Sequence, residues 1–168
     1  MKLFPSADRD GSHDFDFFFG SWRVQHCRLK ERLAGCTDWV AFAGSTTAQP
    51  LLGGSGNIDD NLLDLPGDAY RATTLRSYDA AKRQWSIWWL DGRYPGQLDV
   101  PVVGSFAGGT GTFHAEDTLN RRPIRIRFCW LHTASATPRW EQAFSPDDGQ
   151  TWETNWTMDF ARTANVSG

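Results

Sequence analysis

Large apolar residues alternate with small or polar ones along most of this chain. In RPIRIRFCW, Ile124, Ile126, Phe128 and Trp130 take every second position; in TWETNWTMDF, Trp156, Met158 and Phe160 do the same. A period of two marks strands with one buried face. Ten such runs occur, near Trp22–Leu33, Asp38–Gln49, Gly53–Leu63, Ala69–Tyr78, Arg83–Asp91, Val102–Ala107, Gly111–Thr118, Pro123–His132, Pro138–Phe144 and Thr151–Phe160. Helical periodicity is confined to GSHDFDFFFGSW, where Ser12 is expected to cap a short helix that ends at Gly20.

Turn chemistry separates most of the runs, in AGCTD, LPGD, AGGTG, NRRP and SPDDG among others. Consecutive strands with short connections make an antiparallel meander, and ten strands in an open sheet would leave two long edges exposed. The pattern therefore predicts an all-β fold, a ten-stranded up-and-down barrel with a short N-terminal helix, spanning 1–168 as one domain with an ordered core over about 12–162. A two-sheet sandwich would call for longer crossovers.

The stretch SPDDGQTW (Ser145–Trp152) fits S-x-D-x-G-x-T-W, the Asp-box of sialidase propellers. Ser145 and Asp147 are suited to bonding loop amides, and Gly149 supplies a positive φ. Propellers carry one such hairpin per blade, at intervals of roughly 40 to 50 residues. A single copy in 168 residues argues against a propeller, demotes the glycosidase reading and leaves the stretch as a hairpin clasp.

At FFFGSWRV the sequence resembles the lipocalins and the wider calycin superfamily. Gly20-Ser21-Trp22 stands between a short helix and the first strand, and Arg162 follows the last strand. The resemblance, to bacterial lipocalin-like proteins of uncharacterised function, implies that Trp22 plugs one end of a barrel against Arg162, a cation–π pairing. The chain differs from secreted lipocalins in showing no signal-peptide pattern and no evident disulfide pair, so their extracellular transport role does not carry over.

Aromatic residues make up 14% of the chain, with nine Trp and eleven Phe, more than a barrel of this length needs for its core. The net charge of −3 gives no footprint for nucleic acid or an anionic membrane. The N-terminus lacks a continuous apolar segment and Cys27, Cys36 and Cys129 form no C-x-x-C pair, so a cytoplasmic protein with reduced thiols is expected. The four histidines are too scattered for a zinc site, and no cofactor motif is present.

If Trp22 points inward, so do Val24, His26 and Arg28, unless a bulge turns Arg28 back to solvent. Trp88 and Trp89 face opposite sides, so one lines the lumen. On the last three strands one face carries Arg125, Arg127, Glu141, Glu153, Asn155 and Asp159, the other Trp130, Trp140, Trp156 and further apolar residues. Either the aromatic face forms the core, or Arg127, Glu141 and Asn155 form a polar floor and the outward aromatics imply a homodimer. The candidate ligand-binding set is His26, Arg28, Trp89, Arg127, Trp130, Glu141, Glu153, Asn155 and Trp156.

The expected function is binding of a small hydrophobic or amphipathic molecule with a polar or anionic end. Two alternatives use the same barrel. One is a lyase, isomerase or hydrolase with Glu141 or Glu153 as base beside Arg127. The other, haem binding of the nitrobindin kind, has His114 or His132 as ligand.

Overall fold

The computed structural model describes residues 10–163. Ten strands follow one another: β1 (Gly20–Leu29), β2 (Trp39–Leu51), β3 (Gly56–Leu63), β4 (Tyr70–Asp79), β5 (Gln84–Asp91), β6 (Val102–Ala107), β7 (Thr110–Leu119), β8 (Arg122–Leu131), β9 (Arg139–Ser145) and β10 (Glu153–Arg162). Each pairs antiparallel with the next, and β1 pairs with β10, so the sheet closes into a barrel. Closure leaves no edge strand, although β5 pairs with β6 only over Trp85–Ile87.

One end of the barrel is plugged. The N-terminal segment forms two single 3-10 turns, Gly11–His13 and Asp16–Phe18, which press Phe15 and Phe18 into the core. The cap of the first turn is Asp10, not Ser12: the Asp10 carboxylate accepts from the Ser12 amide at 3.1 Å and from its hydroxyl at 3.1 Å. Two carboxylate oxygens satisfy both Ser12 donors, which a serine at the cap position cannot do. The Trp85 indole donates to the Gly11 carbonyl at 3.1 Å and ties the plug to β5.

Trp22 is buried under this plug. Its indole N–H donates to the Phe18 carbonyl at 2.8 Å, and the Arg162 guanidinium carbon lies 3.8 Å from its ring centroid. Arg162 also donates to the Phe17 carbonyl at 2.9 Å and to that of Phe19. Gly20 has φ +108°, and a Cβ there would lie 2.5 Å from Arg162 Nη1, so the glycine opens the space the guanidinium occupies.

Because β1 starts at the plug, the connections β1–β2, β3–β4, β5–β6, β7–β8 and β9–β10 gather at the opposite end. The last of these is the Asp-box hairpin. Ser145 Oγ accepts from the Gly149 amide at 2.8 Å, and Asp147 accepts from the Thr151 amide at 2.8 Å and its hydroxyl at 2.6 Å. Gly149 takes φ +88°. The box is a loop clasp, as the single copy implied.

On β8, β9 and β10 the aromatic face is inside: Phe128, Trp130, Trp140, Trp156, Met158 and Phe160 join the core. The outward aromatic patch that motivated a homodimer is therefore replaced by a row of charges.

A candidate ligand-binding cavity in the barrel

Between the plug and the open end the barrel encloses a cavity of about 310 Å³. Its walls are apolar, with Ile87 and Trp89 on β5, Ile126 and Phe128 on β8, and Trp156 and Met158 on β10. Two polar zones interrupt them. One lies at the mouth and the other on the β3–β4 wall, deeper toward the plug.

The mouth collects three guanidiniums, of Arg28, Arg32 and Arg93. Arg93 is neutralised: Nη2 lies 2.8 Å from Asp91 and Nη1 2.5 Å from Asp68, and its guanidinium stacks on the Tyr70 ring at 3.6 Å. The hydrogen bonds it donates to Asp91 raise its pKa above the usual arginine value. Burial by itself would raise Asp91, but the bonds from Arg93 outweigh it and hold that carboxyl below the ordinary range.

Arg28 and Arg32 have no such ion-pair partner among the described residues. Arg28 donates to the Tyr70 hydroxyl at 2.9 Å and lies over the Trp156 ring at 4.8 Å, and makes no ion pair among the described residues. The Nε of Arg32 is buried with no hydrogen bond. Burial, then the charges of Arg28 and Arg93, lower the Arg32 pKa, against a smaller opposing pull from Tyr70 and Glu153. Glu153 fixes the loop that carries Arg32 by accepting from the Leu33 amide at 2.7 Å. The far rim carries Asp99 and Asp117, so the unpaired positive charge is confined to one side of the mouth.

The deeper polar zone is a buried ion pair with its own scaffold. Arg76 Nη2 lies 2.7 Å from Asp59 Oδ2, both side chains almost fully buried. Asp59 Oδ1 accepts from Asn61 at 2.5 Å and from the Thr74 amide at 2.9 Å; Arg76 Nη1 donates to Asn57 Oδ1 at 2.9 Å. The Arg76 guanidinium also faces the Phe15 and Phe18 rings of the plug, at 5.1 Å from each.

His26 is inward, as alternation implied, but stands behind the cavity wall. Its Nδ1 accepts from the Trp156 indole at 3.1 Å and its ring stacks on Phe42 at 4.6 Å. Burial first, and then the charge of Arg28, depress its pKa to about 4. A neutral His26 holds Trp156 in the wall.

Of the nine residues expected from the sequence, Arg28, Trp89, Trp130 and Trp156 line the cavity. No bulge returns Arg28 to solvent. Arg127, Glu141, Glu153 and Asn155 do not line it, which corrects the polar floor expected across the last strands. Pleating places Arg127 opposite to Ile126 and Phe128, on the outer side, where it stacks on Trp152 at 4.4 Å. Glu141 pairs there with Arg139 at 2.8 Å. Asn155 sits at a bulge, where the β9–β10 register jumps between Thr154 and Trp156, and accepts from the lining residue Gln142 at 2.8 Å. The carboxylates proposed for catalysis are thus separated from the cavity, and His114 and His132 are exposed, outside it.

Sequence reading missed Arg32, Tyr70, Arg76, Asp59 and Arg93. Strands β3 and β4 carried a signal. Asn57, Asp59 and Asn61 share one face of β3, while Tyr70, Ala72, Thr74 and Arg76 share one face of β4. An acidic residue and an arginine on faces that pair in register can both point inward.

No family model matches the sequence, and no curated protein matches it. Among solved structures, the chain is similar to the S-type phycobiliprotein lyase of Guillardia theta, at 10% identity with a TM-score of 0.59, over 93% of this chain and 94% of that one. At that identity the likeness is one of fold, a ten-stranded antiparallel barrel.

Proposed function

We propose that this protein is a small-molecule binding protein on a lipocalin-like barrel of the calycin kind. Its ligand is an amphipathic acid: an apolar body held by Trp89, Phe128 and Trp156, and an anionic end held at the mouth. The observation that carries this reading is the pair Arg28 and Arg32, two guanidiniums beside an apolar cavity that make no ion pair among the described residues and feel only the longer-range charges of Asp91 and Glu153. A partly buried guanidinium without a partner is costly, and an anion on the ligand supplies one. The barrel likeness to a phycobiliprotein lyase supports a scaffold that handles small molecules. Its three free cysteines fit a reducing, cytoplasmic setting.

Native mass spectrometry of the protein as purified from cells tests the reading. It predicts a retained acid at one per barrel, lost from the Arg28→Met variant. A barrel that carries nothing, and whose Trp fluorescence is unchanged by dodecanoate or 2-naphthoate, would overturn it.

A further inference from the structure

Resting on that reading, we infer that the ligand carries a second polar group, an uncharged oxygen at its inner end, received by Arg76. Arg76 lines the cavity, and its side chain is only 5% exposed. It uses Nη2 on Asp59 and Nη1 on Asn57, while Nε has no hydrogen-bond partner and no open surface of its own, so an inner oxygen reaches it through a small shift of the side chain. A buried donor left unmade is expensive, and few occur without a reason.

The ion pair is also an odd choice for packing. Replacing a buried pair by apolar residues of similar volume is often neutral or stabilising, so stability alone gives little reason to keep Asp59 and Arg76 in an aromatic barrel. A recognition point inside the cavity gives one.

Charge decides what kind of oxygen fits. Asp59 already neutralises Arg76 at 2.7 Å, and a second carboxylate would face Asp59 as well as Arg76. A hydroxyl or ketone oxygen accepts from the guanidinium without that repulsion. Arg28 and Arg32 at the mouth make no such ion pair among the described residues, and they take the acid. The two points are well separated. Tyr70, which bonds Arg28, and Arg76 lie six residues apart on β4, about 20 Å along the strand and about 15 Å along the axis of a tilted barrel. The ligand class is therefore an elongated hydroxy or keto acid with an apolar middle.

Competition between dodecanoate and 12-hydroxydodecanoate, followed by Trp fluorescence, tests this directly. The parent protein should bind the hydroxy acid about tenfold more tightly, as one charge-assisted hydrogen bond provides. Without a donor in place the sign reverses, because burying an unpaired hydroxyl is unfavourable. In Asp59→Leu with Arg76→Met, which removes both charges together, the preference should pass to dodecanoate. In Arg28→Met both probes should weaken equally, with their ratio kept. A parent that binds dodecanoate as well as or better than the hydroxy acid overturns the inner oxygen and leaves the anion site standing. A parent that binds neither overturns both.

Discussion

The guanidinium carbon of Arg162 sits 3.8 Å from the centroid of the Trp22 ring, and the two residues come from opposite ends of the closed sheet. Trp22 stands near the start of β1 and Arg162 ends β10, so their contact joins the seam where the barrel closes. Trp22→Ala should lose about 3 to 5 kcal/mol of stability, as truncated core aromatics do. Denaturant unfolding measures it, with probe affinity in the surviving folded fraction unchanged. A variant as stable as the parent would show that the plug does not depend on Trp22.

Asp147 serves the β9–β10 loop. Its carboxyl is held below the usual range by the side-chain and backbone bonds from Thr151, so the stability it adds is present above the ordinary carboxylate value and lost as pH falls through its own lower one. Asp147→Ala should lower the melting temperature modestly at neutral pH, and the gap from the parent should narrow in acid. Neither protein should release sialic acid from a sialoside. Release that disappears in the variant would contradict the clasp role.

The strands were legible in the sequence because alternation in runs such as RPIRIRFCW survives intact in the fold. Trp22 and Arg162 were legible because a plug needs them at fixed places in the chain. The site was only half legible. Alternation tells which residues share a face but not which face is inside, and on β8 to β10 both faces offered coherent interiors. Burial of the aromatics decided it, and placed Arg127 and Glu141 outside. Arg32 was hidden for another reason: it belongs to a connection, and its position depends on Glu153 holding Leu33 from 120 residues away.

His26 gives the barrel a pH dependence of definite sign. Its pKa is depressed from 6.5 to about 4, so between those values the unfolded chain binds a proton that the folded chain does not. The stability at stake, up to about 3 kcal/mol, is complete above about pH 6.5 and lost as pH falls toward 4. Urea midpoints over pH 4 to 7 should fall more steeply in the parent than in His26→Phe, which cannot titrate there. Parallel curves would remove His26 as the cause.

If the ligand's anion sits between Arg28 and Arg32, dodecanoate labelled with carbon-13 at its carboxyl reports on it most directly. Bound beside two guanidiniums, the carboxyl should remain ionised to a lower pH than the free acid, since nearby positive charge favours the anion. The carbon-13 shift of the bound signal, followed through a pH titration, should show that depressed value in the parent. In Arg28→Met with Arg32→Met it should return to the free value or rise above it. A bound carboxyl in the parent that titrates like the free acid, or at a higher pH, would contradict an anion site at the mouth of this barrel.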